Sequence, residues 1–456
     1  FILAGAAHPN EYRRKNCRLI TDAASGSCVQ PSFGLVEPGV DPNRNYGGFW
    51  GGPGASTDRT SQTYRGPGPF SEPETQNVRQ LVSQRHVTTL ITNHTFSNLV
   101  LRPPGIQSQG PTPDEGIYKA LGDAMAAENG YASQLSYQLY DTTGTTEDWT
   151  YYSTGGLGFT FEIGPHNFHP PFEETVAEWE GTSEASDGHG RDGRGNREAY
   201  FIAQGSTADT SRHGVLAGRA PADATLRLKK TFQTPTSQRN ADGSPRTFED
   251  TLDSTMQVDP DGRFEWHVNP STRPLVAEDR GREATGDPSP PQELSSRGGT
   301  VPCANFDDPP PSCYEDHKIT VPGGAGIDNA KATIRIEWPT PVSDWDMKVY
   351  RADADGNAGG EPVGVSGQGT TDFEQVVLGE PEPGDYVVRV INWAAVEPWS
   401  GEVTFAGPDP FQPAMTETYT LFCEQPEGTI HSARQVGVDR GERRSLDLRA
   451  DCARRR

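Results

Sequence analysis

Asp148-Trp149-Thr150-Tyr151-Tyr152-Ser153-Thr154-Gly155-Gly156-Leu157-Gly158-Phe159-Thr160-Phe161-Glu162-Ile163-Gly164 ends in a strand signal that delivers one carboxylate out of an otherwise apolar run. From Gly158 onward, Phe159, Phe161 and Ile163 alternate with Thr160 and Glu162. That period of two sends the large apolar side chains to one face of a strand and the polar pair to the other. A carboxylate at a strand end, flanked by glycines that let a ligand backbone come close, suits a general base or a metal ligand. On an edge strand the same residue would be an ordinary solvated glutamate, so partners elsewhere in the chain decide its meaning.

Outward from this stretch, the 456 residues are enough for two to four domains with a sizeable core. Only 32% are hydrophobic, and 51 Gly and 39 Pro describe a loop-rich and strand-rich chain. The formal charge of −23 argues against a nucleic-acid surface and against anionic membranes, leaving small, peptidic or cationic partners. There is no apolar run long enough to span a bilayer. Phe1-Ile-Leu-Ala-Gly-Ala-Ala7 lacks the basic flank and length of a signal peptide and reads as part of an interior strand, so the sequence is expected to begin inside a domain. The cysteines fall into three close pairs, Cys17/Cys28, Cys303/Cys313 and Cys423/Cys452, a pattern of disulfides in an exported protein.

Upstream lie four patches with chemistry. Tyr12-Arg13-Arg14-Lys15-Asn16-Cys17-Arg18 is a basic cluster in an acidic chain. Val40-Asp41-Pro42-Asn43-Arg44-Asn45-Tyr46 is a Pro-fixed turn that sets an amide beside a guanidinium fork, a pair suited to a carboxylate held in two directions. Ser71 and Glu74 form a predicted capping box with Pro73 in the first helical turn. The β-branched run Val87 to Asn93 reads as a strand with His94 at its carboxyl end, the rim where ligands collect in open α/β sheets. A helix is predicted over Asp114 to Glu128, stopped by Asn129-Gly130. Alternation of helix and strand up to Glu162 predicts an α/β domain with a mixed sheet and flanking helices.

In that order these patches resemble the zinc metallocarboxypeptidases of the carboxypeptidase A/B family, over roughly residues 1 to 215. The resemblance implies the removal of C-terminal residues from peptides and proteins with Zn2+ as cofactor. Arg14 then polarises the scissile carbonyl, Asn43 and Arg44 bind the terminal carboxylate, and His94 is a zinc ligand. Tyr140 closes over the substrate, and Glu162 activates the zinc-bound water. Glu147, directly before the Asp-Trp pair, stands where the family places the base of its specificity pocket. Leu135, Leu139, Thr142, Thr145 and Thr160 would be the other walls, and a buried carboxylate there would favour Lys or Arg. The chain departs from the family in one respect: a His-x-x-Glu element should lie well upstream of Arg14. His8-Pro9-Asn10-Glu11 has the spacing but stands too close, so an N-terminally truncated domain is expected. The alternative is a catalytically silent relative that binds peptide C-termini or a surface.

Beyond Glu162, His166 and His169 sit in a Pro-rich exit from the strand, and Asn196 to His213 reads as a closing helix. The texture then becomes β, and β-sandwich domains are predicted, of the kind that follow secreted bacterial peptidases. The expected division is a catalytic domain over 1–219, a β accessory domain over 220–274, a linker over 275–299, a β-sandwich over 300–406 and a partial module or tail over 407–456. Asp353-Ala-Asp-Gly-Asn357 lacks full EF-hand spacing and reads as a turn. The whole is expected to be a secreted monomer without a membrane span.

Overall fold

A computed structural model describes residues 14–16, 39–164, 167–182, 194–241, 244–303, 309–340, 342–368, 371–424 and 430–452. In the first region α1 (Pro73–Gln84), β1 (Thr89–His94), β2 (Leu99–Arg102), α2 (Glu115–Asn129) and β3 (Ala132–Leu135) are followed by α3 (Thr146–Thr154), β4 (Leu157–Glu162), α4 (Phe172–Glu180) and α5 (Asn196–Ala208). The strands form one mixed sheet in the order β1-β4-β2-β3, with β1 parallel and β2 antiparallel to β4. β4 is thus an inner strand, and all six of its residues are buried. Leu157, Phe159 and Phe161 join Tyr118, Leu121 and Met125 of α2 and Ala199 and Ala203 of α5 in one apolar core. Gly158, Thr160 and Glu162 take the opposite face. A Cβ on Gly158 would come within 2.7 Å of the Glu147 Cα, so only glycine lets α3 lie this close to the strand.

Two helix ends behave differently from each other. α2 stops as predicted, with Gly130 at φ 76°. For α1 the expected Ser71–Glu74 box does not form: Glu72 occupies the N-cap without a side-chain bond. Asn45 caps the helix from a distance instead, its Oδ1 accepting from Glu72 N at 3.2 Å and from Thr75 Oγ1 at 2.8 Å, while Ser71 Oγ accepts from Asn45 Nδ2 at 2.9 Å. The closing helix ends at Ala208, short of His213, and Asp209 accepts from Ser211 N at 3.0 Å as the chain turns away.

The second region consists of β5 (Gly214–Arg219), β6 (Thr225–Arg239), β7 (Pro245–Gln257) and β8 (Arg263–Val268). Then come β9 (Gln292–Ser295), β10 (Tyr314–Val321), β11 (Lys331–Glu337), β12 (Trp345–Ala352), β13 (Ala358–Ser366), β14 (Phe373–Gly379), β15 (Gly384–Asn392) and β16 (Ser400–Ala406). The last strands are β17 (Tyr419–Glu424), β18 (Ile430–Val436) and β19 (Arg443–Asp447). Sheets β18-β17-β6-β7 and β19-β5-β8 share a core that includes Leu216, Leu226, Trp266, Tyr419 and Leu446. Sheets β10-β15-β12-β13 and β14-β11-β16-β9 share another, with Ile334, Met347, Val388 and Val403.

These pairings redraw the expected division. The 407–456 segment is no separate module, because β17 pairs with β6 and β19 pairs with β5. β5, assigned above to 1–219, pairs with β8 of the accessory region. The 275–299 linker contains β9, which pairs with β16. Cys423 and Cys452 form a disulfide across the first of these cores. Cys303 and Cys313 are not bonded to each other. The proposed Cys17/Cys28 pair, His166 and His8 to Glu11 lie outside the described residues. The Asp353 loop is a turn, its carboxylate accepting from Asp355 N at 2.9 Å and Asn357 N at 2.8 Å. No helix among the described residues is long and apolar enough to cross a membrane.

The accessory hairpin does more than follow the first region. Phe248 of β7 packs on Phe70 and against the cluster of Tyr46, Val82 and Trp149. Asp250 accepts from Trp149 Nε1 at 3.2 Å, Arg79 Nε at 2.8 Å and Thr234 Oγ1 at 2.8 Å.

Candidate active site

The parallel register of β1 and β4 sets His94 directly opposite Glu162. In parallel neighbours, paired residues share a face, so both side chains belong to the Thr160 side of the sheet. One step inward on that face, Thr92 Oγ1 and Thr160 Oγ1 are 2.9 Å apart. Glu162 is only 7% exposed. Burial raises its pKa to about 8, a shift that Glu147 reinforces and that Arg14 and Arg44 oppose. His94 is pushed the other way, to about 4, by burial and by the positive charge of Arg14 and Arg44, against Asp41. An acid that prefers to stay protonated thus stands beside an imidazole that prefers to stay neutral.

Arg14 is anchored by Asp41, whose Oδ2 accepts from its Nε at 2.8 Å. Burial works against its charge, but Asp41, Tyr140 and Glu162 outweigh this and hold its pKa above the ordinary value. Asp41 was not singled out from the sequence as a functional residue. It caps the short 3-10 turn Pro42–Arg44 by accepting from Asn43 N at 3.0 Å, and its carboxylate lies 3.9 Å from Arg44 Nη1. An Asp immediately before Pro-Asn is the readable signal for such a cap. Arg44 is 2% exposed; its Nε donates to Gly54 O at 2.7 Å and its Nη1 to Asn43 O at 2.9 Å. The half-buried Asn43 accepts at Oδ1 from Thr146 N at 3.3 Å. Gly144, at φ 72°, leaves room for the Arg44 carbonyl, which would stand 2.5 Å from a Cβ there.

Glu147 opens α3 but does not face water: it is 2% exposed, and among the described residues its Oε2 has no hydrogen-bond partner. Burial raises its pKa, while Arg44 draws it down. Next to it, Asp148 is raised well above the usual carboxylate range by burial and by Glu147, and both its oxygens accept from Gly105 N at 3.1 Å. Leu135, Thr142, Thr145 and Thr160 are buried, and Leu139 and Tyr140 are half-buried. Thus Arg14, Arg44, His94, Glu147 and Glu162 lie within electrostatic reach of one another, with Tyr140 felt at Arg14. His169 is exposed.

Among the described residues, no three His, Cys, Asp or Glu side chains are placed to hold a metal ion. His94 is the imidazole donor at the cluster, and the guanidinium groups nearest to it carry the charge that repels a cation. The described residues by themselves therefore do not make a zinc site.

Residues 10–185 match the zinc carboxypeptidase family. Mouse carboxypeptidase A1 (Mus musculus) is 37% identical over 134 residues, which is 27% of this chain and 32% of that protein. Human carboxypeptidase A1 (Homo sapiens) is 32% identical over 149 residues, 30% of this chain and 35% of that protein. Of solved structures, bovine thrombin-activatable fibrinolysis inhibitor in complex with tick carboxypeptidase inhibitor is 28% identical, covering 32% of this chain and 49% of that one with a TM-score of 0.27. The chain spans about a third of the length of the curated relatives it matches.

Proposed function

We propose that this chain, whose residues 10–185 match the zinc carboxypeptidase family, belongs to an enzyme that hydrolyses the C-terminal peptide bond of peptides and proteins. The observation that carries this reading is the pairing of His94 with Glu162 across β1 and β4, under the charge of Arg14 and Arg44. Asn43 and Arg44 hold the terminal carboxylate, for which a guanidinium fork beside an amide has the right donors. Tyr140, felt electrostatically at Arg14, closes on the bound peptide. Arg14 offers fixed positive charge where the scissile carbonyl oxygen becomes an oxyanion, and Asp41 keeps it there. In its ionised form, which the charges of Arg14 and Arg44 favour against burial, Glu162 accepts a proton from the attacking water and returns it to the departing amine. The family implies Zn2+, for which His94 is the imidazole donor at this cluster among the described residues.

Several features support the remaining parts of the reading. The Cys423–Cys452 disulfide fits an exported protein. The sheet pair β10-β15-β12-β13 and β14-β11-β16-β9, closed over one core, fits a β-sandwich domain. Glu147, buried with an unpartnered oxygen, fits a pocket floor that awaits a cationic side chain.

The lack of a three-donor group among the described residues favours a second reading, a relative that binds peptide C-termini without cleaving them. One experiment separates the two: release of the C-terminal residue from matched peptides by the whole protein to which this chain belongs, as wild type and Glu162→Gln, in zinc-containing buffer. Cleavage lost in the variant with peptide binding retained supports the hydrolase. Binding in both with cleavage in neither supports the silent relative, and no binding in either ends both readings.

A further inference from the structure

The strand order leaves β14 at the edge of its sheet, bonded to β11 on one side only. An open edge presents unpaired backbone donors and acceptors that proteins cover or block. Here the cover comes from the first region of the chain. Val377 N, on β14, donates to Asp141 Oδ2 at 3.3 Å, and Gln107 N donates to Asp141 Oδ1 at 2.9 Å. Asp141 is 3% exposed, so both donors reach a carboxylate removed from water. Around this bond the turn Gln107–Gln109 lies against the same sheet pair. Gln107 Nε2 donates to Val363 O of β13, and a Cβ on Gly379 would stand 2.9 Å from the Ser108 Cα. The turn in turn holds the segment after Tyr140, since Thr142 N donates to Gly105 O at 2.7 Å and Gly105 N to Asp148.

Tyr140 immediately precedes Asp141, and its hydroxyl is felt at Arg14. We propose that β14 is a positioning element for the peptide site: by donating Val377 N–H to Asp141, it fixes the chain on one side of Tyr140 and thereby sets how tightly a peptide C-terminus is held. The peptide part of this statement rests on the function proposed above. Asp141 is a positioning residue here, acting through Tyr140 and touching no substrate. An aspartate suits the place because it must accept from two N–H groups at once. An asparagine offers one acceptor and would turn its NH2 toward the other donor.

The test uses the full chain as wild type, Asp141→Asn, Val377→Pro and the double variant. Proline removes the N–H that points off the ladder, which an edge strand tolerates, but it also fixes φ and replaces the buried Val377 side chain, so Asp141→Asn is the primary variant. Amide hydrogen exchange is followed over residues 136–145, and dissociation constants are measured for acetyl-Ala-Ala-Phe and acetyl-Ala-Ala-Arg against their C-terminal amides. Each single variant is expected to speed exchange in this segment and weaken the free-acid peptides about tenfold, the scale of one lost buried hydrogen bond. The double variant is expected to go little further than either single one, because both remove the same bond. Exchange and affinity within twofold of wild type in Asp141→Asn overturn the proposal, as do effects of the two substitutions that simply add. If Val377→Pro does not fold, Asp141→Asn alone decides. If exchange quickens but wild type binds neither peptide, the β14 link stands and the peptide-site reading falls.

Discussion

Replacing Asp250 by alanine measures how firmly the accessory hairpin braces the first α/β region. The carboxylate is 2% exposed and receives Trp149 Nε1, Arg79 Nε and Thr234 Oγ1. Arg79 is the least affected partner, because its side chain is 29% exposed and can return to water. Trp149 and Thr234 cannot, being buried in the same place. Each loses a bond to a charged acceptor and leaves a dry donor, at a cost of roughly 1.5–3 kcal/mol apiece. Relief of the carboxylate's own burial returns part of this, so a net loss of about 3 kcal/mol is expected, toward the upper end for a point substitution. For a unit of this size that is a fall of roughly 6–12 °C in midpoint. The assay is thermal unfolding followed by tryptophan fluorescence, with Thr234→Val as a control that removes one donor and keeps the acceptor. The variant should also loosen the loop of Asn43 and Arg44, since Trp149 packs on Tyr46 with ring centres 6.1 Å apart. A midpoint within about 2 °C of wild type would refute the reasoning, because it would mean that the three bonds contribute almost nothing net.

Other expectations follow from single features. Glu162→Gln in the active enzyme should lower kcat by about 10²–10⁴ with little change in KM, and an unaltered kcat in steady-state assays would remove Glu162 from its role. Zinc titrated calorimetrically into this chain alone should bind weakly, one imidazole being a poor substitute for three ligands; micromolar or tighter binding would contradict this. Cys452→Ser should destabilise the sheets joined by β17 by about 3–4 kcal/mol on loop-entropy grounds, the bridged residues being 29 apart, as read by urea unfolding. Burial raises the Asp141 pKa to about 7 against the two N–H donors, above its unfolded value. Its stabilising contribution is therefore fully present below about pH 4 and lost as pH rises through about 7, on the order of 3–4 kcal/mol. Wild type should lose that much stability relative to Asp141→Asn over this range, and parallel pH profiles would exclude it.

What could be read in the sequence was what repeats or caps locally. The alternation from Gly158 to Ile163 marked a strand and its two faces, and the Gly130 stop marked the end of α2, because both depend on residues within a few positions. The register that pairs His94 with Glu162 was not legible, since strand pairing is chosen by packing across the sheet. Helix α1 was placed correctly, but its cap was misassigned: Asn45, distant in sequence, accepts from the Glu72 N–H and the Thr75 hydroxyl at the helix start. Strand pairings that cross the expected domain limits were hidden for the same nonlocal reason. Nothing in the letters of β19 says that Arg443 will lie opposite Val215. Asp141 and Asp250 look like ordinary surface acids until the elements that bury them are assembled.

The pairing of β19 with β5 fixes an order of events during biosynthesis. β5 and β8 leave the ribosome early, yet one flank of β5 cannot be filled until the last described strand has been made. Throughout the translation of the intervening sheet pair, the nascent chain carries a half-built layer with Leu216 and Trp266 waiting for their final partners. Chaperones that hold exposed strands have their longest opportunity here. A message broken late in its reading frame would yield a product with its front region intact and this flank permanently open, the kind of species that proteolytic quality control removes.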